Sequence, residues 1–548
     1  MLITLLISTT LFSVALGAPQ VRIGKTTLTG IESSDGIEFF GGIPFAKPPL
    51  GSLRLQPPVL TTSLEGSIFN ATAFGPSCLQ TDLPPNQVSE DCLQLNVFRP
   101  SNAASKKKLP IMFWIFGGGF TIGGPSFYNG SDIVAKSVSR GTPVIFVSVN
   151  YRLGPLGFPQ GAEAGDKKIL NLGLKDILAG LKWVQANIEA FGGDKKKVTL
   201  IGESAGATSA FELALGTHIK GLARAVIAES VAFLPAFGPK RGEAAWQAFV
   251  SAVPGCTSVA NTSNTLDCLQ SVNSRSILQA LQVTVPATSG LSDVSWFPNI
   301  DGHGGLIPDA LSKLTSTMRL PIIIGNNRDE GTLFAPQDTN STTQTRNIVI
   351  NFSVPSLQKP PSKKLNDTTN KLLELYPEDN PAFGSPFGTG NQMFGLNPEF
   401  KRWAAVFGDF VFQAARRKIS KSMSASGIKV FGYQFTGPNA TAMADIPAAP
   451  GSLGVTHSSE LTYVFGPQTF GSPASPSLSA IMQDYWISFA VSLNPNDGKG
   501  FKRHHWVQYS SNNPIIMQFR ENDTVLVPDD YRHNQLQFIS EHADVFGI

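Results

Sequence analysis

Charge is scarce in this chain. Only 15% of its 548 residues are Asp, Glu, Lys or Arg, and the two signs nearly cancel, leaving a formal +3. So small a balance gives no basic face for a nucleic-acid partner. The 42% apolar content excludes general disorder and permits a large core. Cysteine is scarcer still, four in all. Their spacing matches no zinc pattern and no His-Glu-x-x-His occurs, so no metal is expected. No Lys-Ser/Thr follows the glycine-rich stretch, which argues against a phosphate-binding loop and leaves no cofactor expected. No run after the N-terminal stretch is long and apolar enough to suggest a membrane span. Internal repeats and long linkers are also missing.

Residues 1–17 read as a signal peptide. Positions 2–16 are apolar or small, and Ala15-Leu16-Gly17 places small residues before a cut. The expectation is a secreted protein whose residues 18–548 form a single domain. Four cysteines suit an oxidising compartment and allow three pairings. Asn-x-Ser/Thr sequons at Asn70, Asn129, Asn261, Asn340, Asn351, Asn366, Asn439 and Asn522 suggest a glycosylated surface.

What organises the chain is residues 198–207, Val-Thr-Leu-Ile-Gly-Glu-Ser-Ala-Gly-Ala. An apolar, β-branched run passes into small helix-forming residues, with Gly202 and Gly206 flanking Ser204. Such a strand-to-helix turn lifts a serine hydroxyl clear of a sheet and aims a helix N-terminus at any anion forming there. Residues 111–116 and 144–149 are continuous apolar runs, as in strands covered on both faces. Residues 172–190 carry helical spacing, and further strands are expected at 225–228, 320–324 and 430–435. A late amphipathic helix is expected at 478–493. Strands alternating with helices indicate an α/β fold with a large, mostly parallel sheet flanked by helices. Residues 335–450, richer in polar loops and Phe, read as an insertion over the sheet edge. Residues 78–92 read as a short flap.

A serine needs a base, and the base needs an acid to orient it. In this fold type the order is Ser, acid, His. Of seven histidines, His303 precedes the expected acid, His504 and His505 lie in a charged loop, and His533 and His542 in a polar C-terminal tail. His457, in a small-residue loop after a strand, suits the base. The acid should follow the strand at 320–324, where Asp329 and Glu330 both qualify and chemistry alone does not separate them. Oxyanion donors are expected on the N–H of Ala205 and in the loop Gly117-Gly118-Gly119.

These stretches resemble one family. Residues 90–97 (Glu-Asp-Cys-Leu-Gln-Leu-Asn-Val), Trp114 to Phe120, Phe191 to Gly206, Asp329 to Thr332 and Gly454 to His457 are similar to the type-B carboxylesterase/lipase family, and most of all to its fungal secreted lipases and sterol esterases. The resemblance implies the α/β-hydrolase fold, with Ser204 as nucleophile, His457 as base and Glu330, over Asp329, as acid. It implies Gly118, Gly119 and Ala205 as oxyanion donors, Cys78–Cys92 and Cys256–Cys268 as disulfides, and an acyl tunnel near Phe334, Phe407, Phe410 and Phe412. The expected reaction is hydrolysis of carboxylic esters with apolar acyl chains, on a small-molecule or lipid substrate, with lipid-interface contact left open. Feruloyl, carotenoid or short-chain esters are the alternative, and a catalytically inactive binding homologue a more distant one. Gln94 departs from the family's aromatic or Thr, a minor change. The related lipases carry a long amphipathic lid between the first two cysteines. Here only thirteen residues, Pro84, Pro85, Asp82, Glu90 and Asp91 among them, separate the two. So short and polar a flap predicts weak or no interfacial activation.

Overall fold

Runs of Ile, Val and Phe build the frame. A computed structural model of the chain describes residues 17–34, 36–101, 103, 107–234, 237–285, 295–356, 359–437, 447–467, 475–521 and 523–548. The expected leader falls outside these up to residue 16, as do the sequons Asn439 and Asn522. Eleven strands form one sheet: β1 (Ile31–Ser34), β2 (Ile37–Pro44), β3 (Gln94–Pro100), β4 (Leu109–Ile115), β5 (Ile145–Val149), β6 (Gly193–Glu203), β7 (Ala225–Glu229), β8 (Ile322–Asn327), β9 (Val430–Phe435), β10 (Ile515–Phe519) and β11 (Thr524–Pro528). Their spatial order is β11-β10-β9-β8-β7-β6-β4-β5-β3-β2-β1. The seven strands from β10 to β5 run parallel. Antiparallel neighbours close both edges.

Every residue of β4 is buried. Phe113 approaches Gly180 of the helix Leu172–Asn187 so closely that a Cβ there would meet Val149 Cγ2 at 2.8 Å and Phe113 Cζ at 3.5 Å. The next residue, Trp114, packs on Phe465 and Tyr128 with ring centroids 4.7 and 4.9 Å away. Successive side chains of a strand point to opposite faces, so both faces of the sheet are covered, as its unbroken apolar strands require.

Within residues 335–450 lie the helices Thr342–Ser353 and Lys363–Glu374 and one long helical run, Pro398–Gly408, Asp409–Gln413 and Ala414–Ala425. The middle piece is a π-helical turn. The last part of that span, β9, belongs to the sheet itself. The C-terminal stretch is no loose tail. It docks as the helix His533–Glu541 with Leu536 and Ile539 buried; these two and half-buried Phe538 are its only apolar residues, too few over nine positions for the period to stand out.

Cys78 is bonded to Cys92 and Cys256 to Cys268. Asn70, Asn261, Asn340 and Asn351 are exposed, whereas Asn129 and Asn366 are half-buried. No helix among the described residues is long and apolar enough to cross a membrane.

Asp529, just after β11, ties the helical run to the sheet edge. It accepts from Arg416 through two hydrogen bonds of 2.6 Å, from Arg417 Nε at 3.0 Å and from the Tyr509 hydroxyl at 3.1 Å. Burial alone would raise its pKa, but Arg416 and Arg417 outweigh it and bring the carboxyl down to about 2. Its contribution is therefore complete above the ordinary value of 3.8 and is lost as pH falls from there to about 2. Asp529→Asn should cost about 3–5 kcal/mol by leaving buried guanidinium charge unpaired. Urea denaturation at neutral pH, and melting midpoints in steps below pH 4, measure both effects.

Candidate active site

Ser204 stands between β6 and the helix Ala205–Leu215 with φ 55° and ψ −122°. That left-handed backbone costs a non-glycine residue roughly 1–3 kcal/mol. It is held because nothing beside it can grow. A Cβ on Gly206 would lie 2.0 Å from the Ile115 carbonyl oxygen, and one on Gly202 would lie 2.5 Å from Gly206. The Ser204 N–H donates to the Glu229 carbonyl at 2.8 Å. The first N–H groups of the following helix, Ala205 among them, have no intrahelical acceptor and point toward the hydroxyl's end of the helix.

The loop after β4 lies directly against this turn. A Cβ on Gly117 would come within 3.0 Å of Ser204 Cβ. Gly118 and Gly119 take φ of 108° and 60°, and a Cβ on Gly118 would lie 2.2 Å from the Ile122 carbonyl oxygen. The Gly118 carbonyl accepts from Thr121 and Ile122 N–H groups at 3.1 Å each, so the loop is a closed turn.

The structure separates the two acids that chemistry could not. Glu330 Oε2 accepts from His457 Nδ1 at 2.5 Å. Its other oxygen accepts from the Ser230 hydroxyl at 2.6 Å, the Asn327 N–H at 2.7 Å and Asn326 Nδ2 at 3.2 Å. Asp329 turns elsewhere. It accepts from the Val455 and Phe387 N–H groups at 2.9 and 2.8 Å and from the Ser385 hydroxyl at 3.1 Å. Thr332 adds a hydrogen bond to the Leu453 carbonyl at 2.6 Å and another to the Thr456 hydroxyl at 2.8 Å. One acid thus faces the imidazole while its neighbour sews the loop of His457 to the end of β8.

His457 Nε2 is buried and has no hydrogen-bond partner. It lies 3.2 Å from Glu203 Oε1, on the residue before Ser204. Ser458, at φ 68°, donates to the same Glu203 oxygen at 2.6 Å. The imidazole is therefore brought to the Ser204 turn with its second nitrogen beside the Glu203 carboxylate but not hydrogen-bonded; in unliganded hydrolases the serine–histidine contact commonly tightens only with substrate. Burial disfavours the imidazolium, but Glu203 and Glu330 outweigh it and raise the His457 pKa to about 9. Two further carboxyls are buried nearby. Desolvation, reinforced by Glu203 and Glu330, lifts Glu460 to about 8. Desolvation, reinforced by Glu460, drives Glu229 well above the ordinary range. Asn327 Nδ2 and Trp486 Nε1 donate to these two at 2.5 and 2.7 Å.

Phe334 and Phe412 pack on the His457 ring at 5.1 and 4.7 Å, and Phe407 lies 5.3 Å from Phe334. Phe410 does not join them. Its ring meets Phe352 at 6.5 Å and Phe546 at 5.1 Å. On a 3.6-residue period Phe410 would share a face with Phe407 and Phe412 would not; the π-helical turn, with more residues per turn, brings Phe412 round to the side of Phe407 and Phe334 instead. Among the described residues no grouping of His, Cys, Asp and Glu could hold a metal ion.

Comparison with known proteins gives the same direction. Residues 17–539 match the model of the carboxylesterase family. The chain is 36% identical to "Secreted lipase 1" of Botryotinia fuckeliana, over 97% of this chain and 94% of that one. It is 32% identical to "Lipase 2" of Geotrichum candidum, over 97% and 96%. Among solved structures it is similar to Aspergillus niger EstA, with a TM-score of 0.82 and 26% identity over 97% of this chain and 99% of that one. The chain belongs to the carboxylesterase family.

This carboxylesterase hydrolyses carboxylic esters, and its fold is the α/β-hydrolase sheet. Sequence reasoning missed two of its residues. Glu203 is the unspecified position between Gly202 and Ser204 in Gly-x-Ser-x-Gly, and only the fold shows it against the imidazole. Gln80, in the short flap, makes an amide clasp with the oxyanion-side loop. Its Nε2 donates to the Gly123 carbonyl at 2.7 Å and its Oε1 accepts from the Gly123 N–H at 2.8 Å. Gly123 in turn abuts the Gly117 carbonyl, which a Cβ would meet at 2.7 Å. The flap itself is fixed. Glu90 is paired with Arg54 through two hydrogen bonds of 2.6 and 2.7 Å, and Arg54 also donates to the carbonyls of Leu269 and Val272.

Glu203→Gln removes an anion beside the imidazolium, so the His457 pKa must fall. The rising limb of kcat/KM against pH should move about one unit to lower pH, as a pH–rate series on a soluble ester will show. Gln80→Ala should lower kcat by roughly tenfold through a loosened oxyanion loop. Steady-state kinetics should leave KM nearly unchanged.

Proposed function

We propose that this carboxylesterase is a secreted lipase-like enzyme acting on esters of apolar acyl chains, and that residues 18–548 are its one catalytic domain. Ser204 attacks the ester carbonyl and its proton passes to His457 Nε2. Glu330 holds Nδ1–H and stabilises the imidazolium. The N–H groups of Gly118, Gly119 and Ala205 receive the oxyanion. Collapse of the tetrahedral adduct breaks the bond to the alcohol, which leaves with the proton from His457. Water then attacks the Ser204 acyl ester by the same route and the carboxylic acid departs.

The Glu330–His457 bond beside the Ser204 turn carries this reading. Phe334, Phe407 and Phe412, gathered beside the imidazole, supply apolar surface for an acyl chain; Phe410, turned to Phe352 and Phe546, is left out of it. Relatives named as secreted lipases, two disulfides and exposed sequons support export. The braced flap favours a second reading, an esterase for shorter or bulkier acyl groups, since a fixed flap hides little surface for a lipid interface to uncover.

A panel of p-nitrophenyl esters from acetate to stearate tests both. Longer chains should be preferred, Ser204→Ala should lose at least about 10⁴ in kcat, and rates should show no jump at the substrate's solubility limit. A preference for acetate selects the second reading, and activity retained by Ser204→Ala overturns the mechanism.

A further inference from the structure

A cleft of about 420 Å³ opens between the helix segment Ala414–Ala425 and the C-terminal helix His533–Glu541. No residue of the catalytic site lines it. Arg417, Lys418, Lys421 and His533 do, and no carboxylate does.

The charge beneath it is not balanced. Arg416 and Arg417 are both buried and both pair with Asp529, so two guanidiniums share one carboxylate. Arg417 spends Nε on Asp529 and Nη2 on the Tyr531 carbonyl at 2.8 Å, while its third nitrogen, Nη1, is buried without a hydrogen-bond partner. A buried donor left unsatisfied costs about 1–3 kcal/mol, and more when charged. Lys418 is half-buried; desolvation pulls its pKa below the ordinary value although Asp544 opposes this. Of the carboxylates at the margin, Glu541 accepts from Gln537 at 2.7 Å, and Asp544 divides its charge between Lys364, 3.8 Å away, and Lys418.

We propose that this cleft binds a small oxyanion, a carboxylate or a phosphate, seated over Arg417 between Lys418 and Lys421. Ser511 and Ser540 line its walls, although their hydroxyls donate to the Lys421 and Leu536 carbonyls at 3.4 and 2.8 Å and Lys418 Nζ donates to the Ser540 carbonyl at 3.3 Å. The positive charge of Arg417, Lys418 and Lys421 therefore carries the recognition; Leu536 and Ala425 leave room for a short apolar substituent. The carboxylate released by ester hydrolysis is of this class.

Calorimetric titration of the intact protein with sodium phosphate, and separately with sodium octanoate, tests the site. At least one anion should bind saturably. Lys421→Glu and Ser511→Glu should each weaken that binding by at least about tenfold, while Lys25→Glu, in the exposed turn between the paired strands Gln20–Ile23 and Thr26–Thr29, should not. Circular dichroism checks that each variant is folded. Octanoate binding alone identifies the organic carboxylate as the ligand, phosphate alone the inorganic anion, and both the shared oxyanion chemistry. Binding of neither anion overturns the proposal. So does binding that survives unchanged in either folded cleft variant.

Discussion

Two neighbouring carboxylates fix the catalytic face. The loop carrying His457 is made of small residues and has little core of its own to hold it. Asp329 grips that loop by its backbone, and Glu330 grips the imidazole. Remove the first and the ring loses its place; remove the second and it loses its orientation. Both sit at the end of a parallel strand in the middle of the sheet, so their positions inherit the stiffness of β8 and its neighbours. This is the usual location for a ligand site in an α/β sheet, at the carboxyl ends of the strands.

Electrostatics sets a second constraint. Glu203, Glu229, Glu330 and Glu460 are all buried around one imidazole. Like charges so confined cannot all ionise, and burial raises Glu229 and Glu460 and also Glu203, whose rise His457 and the Ser458 hydroxyl oppose. Glu330 accepts from three donors on its far oxygen besides the ring nitrogen. The remaining negative field favours the imidazolium. In the proposed mechanism that stabilises the charge formed when His457 takes a proton, and it also reduces the fraction of free base at neutral pH. The site trades one for the other.

Much of this was legible in the sequence, and the reasons differ by residue. The strands β4, β5, β7 and β9 announced themselves because burial on both faces demands unbroken apolar text. Ser204 was legible because its glycines are steric necessities. Asp329 and Glu330 could not be told apart on chemical grounds, since their roles depend on which loop arrives from more than a hundred residues downstream. β10 and β11 went unread, being short and partly polar at a sheet edge. The divergence of Phe410 from Phe407 and Phe412 came from one extra residue in a helical turn. The basic lining beside Arg417 assembles from two separate segments, with Ser511 from a third, and no local pattern encodes it.

The flap is anchored at both ends and free at its tip. Cys78, Gln80 and Glu90 are buried, whereas Pro84 to Gln87 face solvent. Bracing and covering are thus separable duties on one short stretch. Extra residues spliced into the tip could grow a cover over the substrate entrance while leaving the amide clasp on Gly123 untouched, so descent within this fold can lengthen or trim such a cover without rebuilding the machinery beneath it.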